Sequence, residues 1–236
     1  MDDGGRASGP PAADDESIPT DKFVGLSVCV FCASADGLPE VYRRAARELG
    51  RELAGRGHRL VYGGGNVGLM GEVARSVHEH GGTVVGVIPQ TLVDRELAYD
   101  PADELLVTET LRERKAEMDA RADAFVALPG GFGTMEELLE VLTLRQLRLH
   151  DRPVVLVNVA GYWDPFRAMV KAMVEQGFSP IGEGQLFQVA ETAARALDLA
   201  EAGPASPGPP PEGGEAPVEA VVEDWTAVPG EEAPIR

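Results

Sequence analysis

The chain has 236 residues, of which 44% are apolar, and a formal net charge of −18 at pH 7. This length and apolar content suffice for one folded domain with a single sizeable core. Residues 1–22 contain almost no large apolar side chain, and residues 203–236 contain runs of Gly and Pro. Such segments bury too little surface to offset their ordering entropy, so we expect two disordered tails flanking a domain at 23–202.

The negative charge is spread over all three parts of the chain. Residues 1–22 carry −4 and residues 201–236 carry −7, which leaves −7 for the remainder. An acidic core argues against nucleic acid and anionic membrane surfaces as partners, although a phosphate ligand needs only a local cradle. No run of 18 apolar residues, no secretory signal pattern and no disulfide framework is present in the sequence. A cytoplasmic protein is therefore expected.

Short apolar runs alternate with longer amphipathic segments, a pattern that predicts βα units around a mostly parallel sheet. The predicted strands are 26–32, 59–62, 83–88, 104–107, 124–128 and 154–159. One predicted helix begins near Pro39, and another, after the second strand, ends near His80. Four further helices are predicted at 110–121, 134–147, 165–176 and 190–200. With helices on both faces, this arrangement is a doubly wound α/β domain, in which ligands bind beyond the carboxyl ends of the strands.

The first glycine-rich loop, GGGNVG at 63–68, follows a predicted strand and precedes a predicted helix. It matches the dinucleotide pattern G-x-G-x-x-G, which also requires an acid about 20 residues further on. The next strand ends in Ile88, Pro89 and Gln90, and this lack of an acid disfavours a dinucleotide cofactor. Gly64 and Gly65 would still let backbone amides approach a phosphate. A tight strand–helix turn without a ligand is the alternative.

The second loop, PGGFGT at 129–134, is the stronger candidate for a binding site. Gly131 and Gly133 leave little side-chain bulk above the sheet. Thr134 is predicted at a helix N-terminus, where its hydroxyl can cap the helix or donate to an anion. Glu136 and Glu137 are adjacent, so only one of them can face a ligand cleft. Complementing the helix dipole is the alternative role for both.

The remaining charged, sulfur and imidazole side chains predict structure rather than chemistry. The segment LRERKAEM at 111–118, taken alone, favours a solvated helix face with i,i+4 pairs. Cys29 and Cys32 have C-x-x-C spacing but point to opposite faces of a strand, which favours core packing over redox work. The four histidines lie at no metal-ligand spacing, so a metal site is not expected.

The string PGGFGTMEE at 129–137 resembles the P-G-G-x-G-T-x-x-E motif of the LOG family, the cytokinin riboside 5′-monophosphate phosphoribohydrolases. Matching stretches cover about residues 26–200 in order: VFC at 30–32, VYGGG at 61–65, GLMG at 68–71, VIP at 87–89, RKAEM at 114–118 and GY at 161–162. The resemblance implies a Rossmann-like fold and a homodimer or larger assembly. It also implies cofactor-free hydrolysis of a purine riboside 5′-monophosphate to the base and ribose 5-phosphate.

The resemblance identifies Arg114 and Glu137 as the catalytic pair. It places substrate contacts at Glu96, Lys115, Gly131, Phe132, Gly133, Thr134, Met135, Glu136 and Thr143. Glycosidic cleavage passes through an oxocarbenium-like state, which a carboxylate can stabilise, or a carboxylate can activate water. An arginine can anchor the nucleotide or assist the departing base, and Glu96 would be the second acid nearby.

The chain departs from the family pattern at several positions while keeping the reactive pair. Ala33 and Ala35 replace a glycine and a serine, Leu111 and Arg112 replace the usual M-H, and Leu144 and Arg148 replace a tryptophan and a glycine. A different base or a specialised pathway therefore stays open. A non-catalytic nucleotide-binding or molybdenum-cofactor-binding protein of the same fold is the alternative. Lysine decarboxylation is disfavoured, since no pyridoxal-phosphate site is evident.

Overall fold

The computed structural model describes residues 25–95 and 97–203, which form one parallel sheet covered by helices on both faces. Its strands are β1 (Ser27–Phe31), β2 (Arg59–Tyr62), β3 (Thr83–Pro89), β4 (Glu104–Thr108), β5 (Ala124–Ala127), β6 (Val154–Val157) and β7 (Gln188–Ala190). Its helices are α1 (Glu40–Gly55), α2 (Gly68–Glu79), α3 (Gln90–Val93), α4 (Leu111–Ala120), α5 (Phe132–Gln146), α6 (Asp164–Glu175) and α7 (Ala193–Glu201). A short 3₁₀ turn covers Val159–Gly161.

The strand order is β4-β3-β2-β1-β5-β6-β7, and every pair in it is parallel. The chain builds outward from β1 to β4 and then returns to add β5 on the other side of β1. This reversal leaves a crevice at the carboxyl ends of β1 and β5, the usual ligand position in such sheets. The predicted doubly wound α/β fold is confirmed.

Two apolar layers hold the helices to the sheet. Successive residues of β1 alternate between them: Val28 and Val30 face α1, α2 and α7, whereas Cys29 and Phe31 face α4, α5 and α6. Both faces of the central strands are therefore buried, which explains why these strands read as continuous apolar runs. Cys29 and Cys32 lie in opposite layers, as their spacing predicted, and both are free thiols.

The structure differs from the predicted elements at β7 and at the edge strand. Ala190 was expected to begin the last helix, but it closes β7; α7 starts at Ala193, after Thr192 accepts a hydrogen bond from the Arg195 N–H. A strand of three residues is too short for its alternation to be recognised. β4 is only half buried because it has a neighbour on one side alone. This half-buried edge strand therefore differs from the fully buried strand β1 at the centre of the sheet.

Some of the predictions fall outside the described residues. These are the tail at 1–22, the tail at 203–236 apart from Gly203, and Glu96. Within the described part of the chain, no helix is both long enough and apolar enough to cross a membrane.

Candidate active site

Arg114 and Glu137 meet in a buried contact between α4 and α5. Arg114 Nη2 lies 2.9 Å from Glu137 Oε1, with 9% and 5% of the two side chains exposed. Arg114 Nε also donates a 3.1 Å hydrogen bond to the carbonyl oxygen of Val87 in β3. A buried charge pair requires such additional hydrogen bonds to offset the loss of hydration. The guanidinium is therefore fixed by two elements near the carboxyl end of the sheet.

The start of α4 positions the arginine. Thr110 caps the helix by accepting a hydrogen bond from the Glu113 N–H at 3.1 Å, and the Glu113 carboxylate accepts one from the Glu109 N–H at 3.0 Å. These reciprocal bonds fix the first turn of the helix. Arg114 and Met118, which are four residues apart, are its buried side chains. The solvated-face interpretation therefore describes only part of α4, because another face enters the core and carries Arg114 with it.

The first glycine loop makes room for this arginine. A Cβ at Gly63 would lie 1.9 Å from Arg114 Nη2, so a side chain there would displace the guanidinium. Gly64 has a φ of +70°, in the left-handed region that favours glycine. Gly65 pairs with Ala98 in a β-bridge. Gly64 and Gly65 are both buried, and local packing accounts for them without a ligand, in keeping with the tight-turn alternative.

The second glycine loop has free space around Gly131 and Gly133, whereas the glycines of the first loop are tightly packed. A Cβ on Gly131 or Gly133 would meet no atom within 4 Å, and Phe132 is 96% exposed. Gly131 is the N-cap of α5, so the first-turn N–H groups of this helix face the crevice side of the loop. Such orphan donors, together with the helix dipole, form an anion cradle.

Thr134 does not occupy the position that the sequence predicted. The helix begins two residues earlier, at Phe132, so Thr134 lies inside the first turn, and α5 has no side-chain cap. Its side chain instead packs over Gly130, where a Cβ would come within 2.0 Å of Thr134 Oγ1. The sequence placed the start of the helix too late because the glycines at 131 and 133 have poor helix propensity.

Glu136 and Glu137 separate into an exposed and a buried carboxylate. Both lie beyond the first turn of α5, so neither complements the dipole of the helix N-terminus. The Glu136 side chain is 62% exposed and accepts a hydrogen bond from Lys115, which also contacts Glu140. Burial of the ammonium opposes its charge, but the hydrogen bonds from Lys115 to these two carboxylates leave its pKa above the usual value. Only Glu137 reaches Arg114.

The environment of Glu137 raises the pKa of its carboxyl group. Burial is the largest cause, and the nearby Glu136 carboxylate adds to it; the Arg114 guanidinium opposes both without cancelling them. The fold thus holds a carboxylate in a setting that disfavours its charge, and Arg114 is the partner that offsets part of this cost. Perturbed carboxyl groups of this kind cluster at functional sites.

The other predicted contact residues lie around this centre at different depths. Met135 packs against the core, and Thr143 is exposed on the outer face of α5, where its hydroxyl donates to the Leu139 carbonyl at 2.7 Å. Glu96 is not described, but Leu97 lies beside the first loop, because its carbonyl accepts a 2.9 Å hydrogen bond from the Asn66 N–H. The structure therefore brings Arg114, Glu137 and the second loop together and leaves Thr143 outside.

Three contributions to the site escaped the sequence prediction. Gly63 admits the arginine, the Val87 carbonyl holds it, and the Tyr162 hydroxyl donates to the Gly130 carbonyl. A backbone carbonyl and a close approach leave no signal in a sequence. The residues themselves did leave one, because Gly63, Val87 and Tyr162 all belong to stretches of the quoted family match.

A doubly wound sheet with glycine-rich loops at its switch point places the chain among the Rossmann-like α/β proteins. Residues 70–200 match a family model described as "Possible lysine decarboxylase". The cytokinin riboside 5′-monophosphate phosphoribohydrolase LOG of Oryza sativa subsp. japonica is 52% identical over 151 residues, which are 64% of this chain and 62% of that protein. LOG3 of Arabidopsis thaliana is 48% identical over 163 residues, 69% of this chain and 75% of its own length. The chain belongs to this LOG-type family.

Solved structures resemble the chain less closely. The molybdenum cofactor carrier protein of Chlamydomonas reinhardtii is 25% identical, with a TM-score of 0.56 over 73% of this chain and 94% of that protein. The match to the rice relative spans less than two thirds of that protein's length. The molybdenum cofactor carrier shows that this fold also occurs in proteins that are not named phosphoribohydrolases.

Proposed function

We propose that the chain hydrolyses the N-glycosidic bond of a purine riboside 5′-monophosphate and releases the free base and ribose 5-phosphate. The observation that carries this proposal is the buried 2.9 Å contact between Arg114 and Glu137. Glu137 lies on α5, the helix that begins at the open second loop. Relatives about half identical to the chain are named cytokinin riboside 5′-monophosphate phosphoribohydrolases, which supports the same chemistry.

The phosphate is held, in this proposal, by the second loop. Gly131 and Gly133 present open backbone, and the N-terminus of α5 adds a favourable dipole. The N-terminus of α2 is a poorer cradle, because the Asp36 carboxylate already accepts a 3.2 Å hydrogen bond from the Gly68 N–H. Ala35, which replaces a family serine, lies beside this acid, so the anionic end of the substrate is directed to α5.

Glu137 faces the developing positive charge on the ribose. As water attacks C1′, the C1′–N bond breaks, its electron pair stays with the base, and a proton passes to the base nitrogen. The Glu137 carboxylate stabilises the oxocarbenium-like state or takes the proton of the attacking water. Arg114 orients that carboxylate and anchors the nucleotide. Lys115, Glu136 and Met135 line the neighbouring surface, with Phe132 at the rim.

One assay tests the activity against its rivals. The protein is incubated separately with AMP, an N6-modified AMP and lysine, and the products are separated by chromatography. We expect free base and ribose 5-phosphate in equal amounts from at least one nucleotide, with no cadaverine from lysine. Nucleotide binding without base release would favour a carrier role, which the likeness to the molybdenum cofactor carrier supports. Cadaverine would show that the assigned reaction is wrong.

We also propose that the chain acts as a homodimer or larger assembly. Four exposed apolar side chains lie on the outer face of α5 and at the start of α4: Leu111, Phe132, Leu139 and Leu147. Phe132, Leu139 and Leu147, the C-cap of α5, follow one another at intervals of seven and eight residues, about two turns each, so they share a helix face. An apolar face of this kind next to a site is a candidate for burial against a second copy.

The proposal also covers the bounds of the catalytic domain and the cellular compartment in which it acts. Every described residue of the site lies within 23–202, and we propose that this segment is the catalytic domain. Cys29 and Cys32 are both free, which supports the reducing cytoplasm as the place of action.

A further inference from the structure

The backbone of the second glycine loop is held from outside by Tyr162, which lies just after the 3₁₀ turn that follows β6. The Tyr162 hydroxyl donates a hydrogen bond to the carbonyl oxygen of Gly130. We propose that Tyr162 is a positioning residue that aims the Gly131 N–H at the phosphate of the nucleotide. The inference rests on the proposed function only in taking the second loop as the phosphate site.

The geometry of a peptide unit carries the argument. In a trans peptide, the C=O of one residue and the N–H of the next point in opposite directions. No cis peptide occurs in the described chain. The hydrogen bond that turns the Gly130 carbonyl toward Tyr162 therefore turns the Gly131 N–H away from it. No described residue accepts a hydrogen bond from that N–H, so it is left free for a ligand.

This restraint matters because of the two adjacent glycines. Glycine adopts many more backbone conformations than other residues, so the peptide between Gly130 and Gly131 is poorly fixed by its own sterics. A Cβ at Gly131 would meet nothing within 4 Å, and the 3.0 Å hydrogen bond that its carbonyl accepts from the Met135 N–H restrains the following peptide, not the one between Gly130 and Gly131. The Tyr162 hydroxyl supplies the missing restraint. Donors fixed in advance bind an anion without a reorganisation cost.

The segment that carries Tyr162 is itself rigid. The buried Asn158 side chain accepts a 2.8 Å hydrogen bond from the Trp163 N–H and donates one to Asp164 at 2.9 Å. Between these anchors, Ala160 and Gly161 have φ values of 52° and 73°, a left-handed turn that directs the chain back toward the loop. Because β6 pairs with β5, this turn lies beside the strand that leads into Gly130.

The tyrosine ring is held independently of its hydroxyl. It makes edge contacts with Trp163 and Tyr42, with ring centroids 5.2 Å and 6.1 Å apart. A Tyr162→Phe variant keeps these aromatic contacts and removes only the hydrogen bond. Tyr42→Phe is the matched control, because it removes a phenolic hydroxyl from the same aromatic cluster without touching Gly130.

Titration calorimetry with AMP, ribose 5-phosphate and adenosine tests the inference on the full chain. We expect Tyr162→Phe to weaken AMP and ribose 5-phosphate by about tenfold, the scale of one hydrogen bond to a charged group. Adenosine, which lacks the phosphate, should bind as to the wild type, and Tyr42→Phe should change none of the three. With a hydrolysed substrate, KM should rise by the same factor while kcat stays within about twofold, as for uniform binding.

Several outcomes would overturn the inference. Equal weakening of AMP and adenosine would show a general distortion of the site. A lower melting temperature with unchanged AMP binding would show a purely structural role, and a wild type that does not bind AMP would remove the phosphate site altogether. Phosphate-selective weakening in a protein that releases no base would support the inference while refuting the proposed hydrolysis.

Discussion

At the scale of single residues, the site depends on a glycine as much as on its charged groups. Arg114 can reach Glu137 and the Val87 carbonyl only because Gly63 has no side chain. The motifs predicted both members of the pair, since residue types and order carry that information. They did not predict the role of Gly63, because that role is to leave space for the Arg114 guanidinium, and only the folded structure defines this space.

A Gly63→Ala substitution tests this steric role. The new Cβ would lie 1.9 Å from Arg114 Nη2, so the guanidinium must shift and its contact with Glu137 must break or lengthen. We expect turnover to fall by about 100-fold, the usual cost of a misplacement near 1 Å. Stability should fall by about 1–3 kcal/mol, measured by urea unfolding. Gly55→Ala, where a Cβ meets no atom within 4 Å, is the control; equal effects of the two variants would contradict the steric explanation.

The raised pKa of Glu137 predicts the acid limb of the pH–rate profile. If the reaction needs the carboxylate, activity is lost as pH falls through the pKa of this group. Burial raises that pKa above the ordinary value of 4.5, so the limb in kcat/KM should lie above pH 4.5. The residual activity of Glu137→Gln should lack this limb. A limb that persists in the variant would assign the titration to another group.

At the scale of elements, α5 carries both the best and the worst of the sequence predictions. Its body and its end near residue 147 were predicted. Its start was placed two residues late, because glycines lower helix propensity while the open loop tolerates them. β7 was missed because a three-residue strand offers too few positions for a pattern, and pairing with β6 is what defines it.

The end of α5 supports a prediction about stability. The Arg148 N–H bonds to the Arg145 carbonyl at 3.0 Å and the Leu149 N–H to the Leu144 carbonyl at 2.9 Å, a Schellman motif. Arg148 occupies its left-handed position, with a φ of 61°, where the family usually has glycine. Arg148→Gly removes about 1–2 kcal/mol of left-handed strain and adds about 0.5–1 kcal/mol of unfolded-state entropy. We expect a net stabilisation of about 0.5–1 kcal/mol.

Thermal unfolding measures this gain, since 1 kcal/mol raises Tm by about 2–4 °C in a domain of this size. Arg51→Gly on the exposed side of α1 is the matched control. Its backbone is helical, so the same change should destabilise by about 1 kcal/mol. Destabilisation by both variants would show that the left-handed position carries no strain.

At the scale of the whole molecule, the sequence predicted the layer architecture well and the surface poorly. Continuous apolar runs and glycine-rich turns indicate buried parallel strands, so the ligand site was expected beyond their carboxyl ends. Which exposed side chains form a shared surface depends on how α4 and α5 lie together, and Lys115 links them through Glu136 and Glu140. That relation spans separate segments and leaves no local pattern.

The apolar face on α4 and α5 predicts the assembly state. Light scattering of the wild type should give at least twice the 25.0 kDa chain mass. Leu139→Glu places a charge in the proposed interface and should yield a monomer with reduced activity, because burying an unpaired charge is costly. Met169→Glu, at a similarly exposed position on α6, should stay assembled. A wild-type monomer with full activity would contradict the proposed dimer.

The turnover of Glu137→Gln on the best nucleotide substrate tests the central claim most directly. The variant keeps the shape of the side chain and its acceptor for Arg114 but loses the negative charge. We expect kcat to fall by about 100-fold or more, the scale of losing one electrostatic stabiliser, while nucleotide affinity changes far less. Glu136→Gln, on the exposed neighbour, should stay near wild type. A folded Glu137→Gln variant with wild-type turnover would show that this carboxylate does not drive the cleavage.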